Sequence, residues 1–176
     1  KLTASSSSTL SFVDGASGVV LDNTYKEYLF TFKNIHAATD NVEFQFNVSI
    51  DGGSNYNVAK TTTYFRTYNY EDDSDAALGY RTPRDLAQGT GFQALTEGQG
   101  NGNDESCSGQ LTIFNPSDTT FTKHFIARNS MYGRTDYEMD IYVAGYANNT
   151  SAVDAVQFKM SSGNIDSGDI CLYGIA

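Results

Sequence analysis

The stretch VEFQFNVSI alternates without a break. Val42, Phe44, Phe46, Val48 and Ile50 fall on one side of an extended chain, and Glu43, Gln45, Asn47 and Ser49 on the other. Successive side chains of a strand point to opposite faces, so this segment is expected to bury one face and wet the other. A slip of one residue in its pairing would turn the whole apolar set outward, so its register is strongly specified. Just before it, KEYLFTFK places Tyr28, Phe30 and Phe32 on one side. The two runs together are expected to supply much of a core.

The rest of the chain repeats this grammar. Thr9 to Val13, TTTYFRTYN, QLTIFN, TKHFIARN, YEMDIYVAGYA, AVQFKMSS and DICLYGI are strand-like runs, separated by turn residues such as Asp51 to Asn57, Asn115-Pro116-Ser117-Asp118 and Asn148-Asn149-Thr150. With 12 Tyr, 11 Phe, no Trp and 2 Pro, the composition favours strands and turns, and no segment shows a helical period over helix length. The expected fold is all-β: a two-sheet antiparallel β-sandwich, jelly-roll-like, of about nine strands. A chain of 176 residues is about one domain long. Residues 1–8 read as a loose polar arm and 9–176 as a single sandwich domain. From 71 to 109 the periodicity vanishes, and this stretch reads as a long loop insertion with a short helical turn around Arg84 to Gln88. The terminal SSGNIDSGDICLYGIA divides into a turn over Ser161–Gly168 and a closing strand over Asp169–Ile175, apolar on both faces and therefore expected inside a sheet.

The formal net charge of −10 argues against nucleic acid and against an anionic membrane as partners, because both are bound through clustered Lys and Arg. No run reaches the ~20 apolar residues of a membrane-spanning helix. The N-terminus shows no basic, apolar leader, and an opening on Lys1 rather than Met points to a missing initiator or short leader. The chain reads as cytosolically made and soluble. Cys107 and Cys171 belong to no CxxC pair, which disfavours zinc and favours two buried or half-buried thiols.

No catalytic constellation stands out, and no enzyme or cofactor is expected. His36 and His124 lie in no metal-binding or general-base pattern, and no GxSxG elbow is present. Glu71-Asp72-Asp73-Ser74-Asp75 lacks the glycine and distal Glu of an EF-hand loop and reads as a solvated turn. Asp104 and Glu105 adjoin in a flexible loop, which is not how glycosidase carboxylates face a sugar. Asn47-Val48-Ser49 and Asn148-Asn149-Thr150 match glycosylation sequons that matter only in a secretory context. The aromatic and cationic residues in and beside the insertion are the interface candidates: Tyr68, Tyr70, Tyr80, Arg81, Arg84 and Phe92.

Three stretches also carry a likeness. FQFNVSIDGGSNYN (Phe44 to Asn57), KHFIARNSMY (Lys123 to Tyr132) and AGYANNTSAVDAVQFKMSSGNIDSGDICLYGIA (Ala144 to Ala176) resemble virion proteins of tailed bacteriophages, notably those of marine bacteria. The resemblance runs from about Thr9 onward and is clearest in the Ser-Gly-Asn-Ile-x-Ser-Gly turn that leads into Leu-Tyr-Gly-Ile. It implies a jelly-roll-like structural module with no cofactor and no catalytic residue, and with Cys107 and Cys171 at variable positions. Within it the favoured role is a capsid decoration (cement) protein on the virion surface. Such a protein would bind the major capsid protein as a homo-oligomer, a trimer ahead of a dimer, with the 71–109 insertion or the N-terminal arm at an interface. The alternative is a tail-fibre or tail-spike module that binds a host glycan through its tyrosines; a glycan-cleaving enzyme is the third reading.

Overall fold

A computed structural model describes all of Lys1–Ala176. The alternating runs form β2 (Leu10–Val13), β3 (Glu27–Ala37), β4 (Phe44–Ser49), β5 (Lys60–Tyr70), β8 (Cys107–Phe114), β9 (Lys123–Gly133), β10 (Tyr137–Ala147), β11 (Ala155–Met160) and β12 (Ile165–Ile175). Three further strands, β1 (Leu2–Ser7), β6 (Ala76–Tyr80) and β7 (Gln93–Ala94), raise the total to twelve, and a single 3-10 turn spans Thr82–Arg84. There is no α-helix, and so none long and apolar enough to cross a membrane.

The strands make two antiparallel sheets. The large one has eight strands in the order β1-β12-β3-β8-β9-β10-β5-β6, and the small one has four, β2-β11-β4-β7. From β2 onward the chain crosses between them in the sequence small, large, small, then large for the β5–β6 hairpin. It returns to small for β7, runs through a large-sheet meander β8-β9-β10, and comes back to small for β11. That alternation is jelly-roll-like, with a three-strand meander where a jelly roll carries one strand. β12 then returns to the large sheet between β1 and β3, so the chain's last strand is paired on both sides.

Between the sheets lies a core rich in phenylalanine. Phe158 on β11 touches Phe12, Phe30, Phe32 and Phe44 at ring-centroid distances of 5.3 to 6.2 Å, edge to face with Phe12 and Phe32, tilted to Phe30 and stacked on Phe44. Such pairs contribute about 0.5–1.5 kcal/mol beyond area burial. Phe44, Phe46 and Val48 of β4 and Tyr28, Phe30 and Phe32 of β3 all face this core, as their alternation requires.

Four expectations need correction. Lys1–Ser8 is not a loose arm: Leu2–Ser7 pairs with β12, and Ala4 is buried. The backbone groups of Asp169, Ile170 and their neighbours offered an edge, and the small polar residues of β1 cover it. The 71–109 segment is only partly loop, because β6 closes a hairpin on β5 and the run from Gln93 to Gly100 passes through buried ground against β4. The helical turn sits at Thr82–Arg84, where Pro83 supplies the fixed φ, rather than at Arg84 to Gln88. Asn47 and Ser49, expected on a wet face, are fully buried. The loops after β4 and before β7 fold over them, and Asn47 Nδ2 donates to the carbonyls of Tyr56 (2.7 Å) and Thr90 (3.0 Å). The Asn47 sequon is therefore closed to modification in the folded chain.

Lys60 is also fully buried. Its ammonium donates to Asn47 Oδ1 at 2.5 Å and to the Val58 carbonyl at 2.8 Å, and burial pulls its pKa down to about 7. Cys107 is buried and Cys171 half-buried, both free thiols.

Candidate functional site

β5 and β10 are 11 residues long, whereas β4 and β11 of the opposing sheet have 6 each. At ~3.3 Å per residue the large sheet must overhang the small one by several residues. Along β5 the inward positions are Lys60, Thr62, Tyr64, Arg66, Tyr68 and Tyr70, and along β10 Tyr137 and Met139 face the same way beside Tyr70 and Tyr68. Apolar core therefore gives way, past Tyr64, to Arg66 and tyrosines whose rings are only partly covered.

The overhang becomes a cleft because the buried 93–100 run walls it. The cleft measures about 270 Å³ and is lined by Asn41, Arg66, Tyr68, Tyr70, Arg84, Glu97, Gly98, Arg134, Thr135, Tyr137 and Met139. Four of the chain's five arginines meet here: Arg66, Arg84 and Arg134 line the cleft, and Arg81 binds Glu97 at its edge. The Glu97 side chain is 10% exposed, 3.2 Å from Arg66 Nε through Oε2 and 3.5 Å from Arg84 Nε through Oε1. It also takes two hydrogen bonds from Arg81, one of them from Nε at 3.0 Å. Burial alone would raise the Glu97 pKa, but the Arg81 hydrogen bonds and the three guanidinium charges outweigh it and hold the carboxyl below its ordinary range. Arg84 Nη2 reaches Glu43 at 2.8 Å as well.

Not every group in the cleft is used. The side chains of Asn41, Arg134 and Thr135 and the hydroxyl of Tyr70 make no hydrogen bond or ion pair within the chain. Tyr64, two residues before Arg66 on the same face, is fully buried with an unpartnered hydroxyl. Desolvation, then the charge of Glu97, pushes its pKa far up, against the opposing pull of Arg66 and Arg84.

The second surface is the outer face of the large sheet. In one row across it lie Tyr173, Leu29, Thr112, Ile126, Ala144 and Thr63. The neighbouring row toward the cleft carries Arg128, Tyr142, Phe65 and Tyr80, with the Phe65 and Tyr142 rings stacked at 4.8 Å and 2°. The row on the other side holds Ile175, Glu27, Phe114, His124, Tyr146 and Thr61. Ile126 is 55% exposed and Tyr80 53%. Ala144 sits in a shallow hollow between Ile126, Phe114, His124 and Tyr146. Beyond these rows the face turns polar, with Asp140 paired to Arg128 through two hydrogen bonds, and Ser130 and Glu138 beside it.

The interface candidates thus divide. Tyr68, Tyr70 and Arg84 line the cleft, and Arg81 braces it. Tyr80 belongs to the outer face, its hydroxyl donating to Asp85 at 2.5 Å. Phe92 lies apart, half-buried under the Lys159 ammonium at 4.7 Å from its ring centroid. Glu97, Arg66, Arg134 and Asn41 escaped the sequence reading. Arg66 had a signal, since it stands in phase with Tyr64, Tyr68 and Tyr70. Glu97 had none, because nothing in ALTEGQ marks it as buried.

His36 bonds the Gly102 carbonyl and Asp166 and meets no metal-ligating group; no cluster of three or more His, Cys, Asp or Glu side chains exists in the chain. The 71–75 acidic run is the β5–β6 turn, with Asp73 in the left-handed region and Asp72 capping Ser74 N. Compared with protein-family models, with curated proteins and with solved structures, the chain finds no match in any of the three.

Proposed function

We propose that this chain is a structural protein of a tailed-bacteriophage virion, a capsid decoration protein that associates with copies of itself through the outer face of the large sheet and seats on the major capsid protein. The observation that carries the reading is the uncovered apolar half of that face. Its rows reach across six strands, about 24 Å at ~4.8 Å per strand and about 20 Å along the strands, roughly 500 Å² in plan, with Glu27, Gln110, Arg128 and threonines interspersed among the apolar side chains. Two such faces together bury roughly 1,000 Å², the lower bound of a specific interface. An exposed patch of a few hundred Å² centred on apolar side chains is often functional. β6 adds an unpaired edge, every residue of it exposed, at the rim of the same face. A decoration protein that binds the assembled lattice and not its free subunits stabilises the shell by linkage.

Light scattering on purified protein tests the association. A homo-oligomer is expected, a dimer where two such faces pack on each other about a twofold axis and a trimer where the face meets a different patch of its neighbour. Ile126→Lys is expected to yield monomer by placing a charge at the centre of the face. A wild-type monomer at hundreds of micromolar that also fails to bind empty capsids would sink the proposal. The Tyr-lined cleft favours a second reading, a receptor-binding module of the tail. Adsorption of the purified protein to host cells, with competition against infection, tests that one, and no adsorption at micromolar protein counts against it.

A further inference from the structure

The cleft contains one guanidinium more than its own chemistry uses. Arg66, Arg81 and Arg84 are held by Glu97 and Glu43, while Arg134, on the β9–β10 hairpin, lines the same cleft with no acidic partner. Four arginines against two glutamates leave a local charge of about +2 on a chain of net charge −10. Arg134 is exposed, so its conformation is not dictated by packing. Its backbone is fixed all the same: Arg134 N donates to the Gly98 carbonyl at 3.3 Å, and Tyr137 Oη donates to the same carbonyl at 3.2 Å.

The wall beside it is aromatic. Tyr70 packs against Tyr137 at a centroid distance of 5.3 Å and against Tyr68 at 5.9 Å, and Arg66 lies over the Tyr68 ring at 4.8 Å. Rings of this kind offer flat faces to the C–H groups of a sugar. At the rim, Asn41 and Thr135 carry free amide and hydroxyl groups, and Tyr70 a free hydroxyl, all suited to sugar hydroxyls. A volume of about 270 Å³ falls below the ~300 Å³ lower end of pockets for drug-sized ligands, which fits a single sugar ring.

We propose that this cleft binds a carboxylate-bearing monosaccharide unit, its carboxylate on the fork of Arg134 and its ring against Tyr70. A carboxylate suits the site better than a phosphate dianion. One free fork pairs with one carboxylate in bidentate fashion, while the other three guanidiniums are already engaged by Glu97 and Glu43. The site stands whether the particle carries this chain on its head or its tail, since it uses neither the outer face of the large sheet nor the β6 edge.

Sodium glucuronate, glucose and inorganic sulfate are the probes, titrated by calorimetry and by ligand-observed NMR against wild type, Arg134→Ala, Arg134→Lys and Tyr70→Ala. Arg134 is exposed on a turn, so its variants are expected to keep the wild-type melting temperature, which is checked first. Glucuronate is expected to bind wild type saturably in the millimolar range and glucose at least tenfold more weakly. Arg134→Ala should lose glucuronate binding tenfold or more, and Arg134→Lys should restore part of it, because an ammonium cannot form the fork. Tyr70→Ala should weaken glucuronate and leave sulfate unchanged. Equal binding of glucose and glucuronate, or an Arg134→Ala variant that binds like wild type, overturns the proposal. Sulfate competing as strongly as glucuronate reduces the cleft to a plain anion site and overturns the sugar assignment. A protein that associates through its sheet face and ignores glucuronate overturns this inference alone.

Discussion

Glu97→Gln probes the electrostatic balance of the cleft. Glu97 is the shared counter-charge of Arg66, Arg81 and Arg84, and glutamine keeps its size while removing its charge. Removing one member of a fully buried ion pair costs ~3–5 kcal/mol, because the other charge is left uncompensated. Here the arginine side chains are 18 to 35% exposed, so water screens part of that loss and the expected cost is about 2–3 kcal/mol. For a domain of 176 residues, at ~2.1 cal/mol/K per residue, each kcal/mol lowers the melting temperature by about 2.7 °C. The variant should therefore melt about 5–8 °C lower in low salt. Added sulfate should recover much of the loss, because Arg66 and Arg81, left without a carboxylate while Arg84 keeps Glu43, gain a ligand that only the folded state assembles. Glu43→Gln, which frees a single contact to Arg84, should cost about 1 kcal/mol or less. Acid should act in the same sense. The Glu97 carboxyl is held below its ordinary pKa, so its stabilisation is complete at neutral pH and fades as pH falls through the lowered value. Wild type and Glu97→Gln should then converge in melting temperature toward acid pH. A Glu97→Gln protein that melts within about 1 °C of wild type at neutral pH and low salt would refute the claim that one carboxylate holds the arginines in place.

Lys60 predicts a pH trend of the same sign in an alkaline window. Its folded pKa of about 7 lies below the ordinary ~10.4, so the unfolded chain binds more protons between these values and stability rises with pH across that window. The full shift corresponds to about 4–5 kcal/mol; the hydrogen bonds to Asn47 and Val58 favour the charged form and cut this to a few kcal/mol. Lys60→Met should flatten the difference in melting temperature between about pH 7 and pH 10, and parallel curves for the two proteins would exclude the assignment. Gly168→Ala addresses the β-bulge of β12, where Gly168 has φ +119° and an added Cβ would lie 2.6 Å from the Asn34 carbonyl oxygen. A loss of about 1–3 kcal/mol is expected in urea titration, and an unchanged midpoint would contradict the strain at that site.

The all-β class, the strands of the large sheet and the placing of the closing strand inside a sheet were legible because each depends on a local period of two. In β3, β4, β9 and β10 the apolar face of the pattern became the buried face of a strand; β12 begins at Ile165, inside the expected turn, and of its two apolar faces the one with Tyr173 and Ile175 stays exposed. What was illegible depended on partners far away in sequence. β1 is Leu-Thr-Ala-Ser-Ser-Ser, with no apolar alternation, and it exists because β12 had a free edge. β7 is two residues long and is defined by Phe46 and Gln45 across from it. The polar face of β4 read as wet because Glu43, Gln45, Asn47 and Ser49 are hydrophilic, yet loop carbonyls satisfied the last two in the interior. The cleft was half legible for the same reason. Tyr68, Tyr70, Arg81 and Arg84 drew notice as residue types, but Glu97, which organises the arginines, stands in an aperiodic run whose burial only the tertiary structure decides.

The two surfaces have different origins in the two-sheet architecture. A two-sheet sandwich has no layer over its outer faces, so the Tyr, Phe, Ile and Leu residues of the large sheet's outer rows can be buried only by another molecule. Eleven-residue strands against six leave the inner face exposed past Tyr64, and there the same alternation that delivers phenylalanine to the core delivers Arg66, Tyr68 and Tyr70 to a cleft. A sandwich with strands of matched length would cover the inner-face surface with its own second sheet and present no cleft there. The two are also separable. The cleft opens on the inner face at the Tyr70–Tyr137 end, and the apolar rows lie on the outer face, centred nearer the Lys60–Ala147 end. A partner seated on those outer rows therefore leaves the arginine cleft open to solvent, and a subunit locked into an assembly keeps a free site for a small acidic ligand.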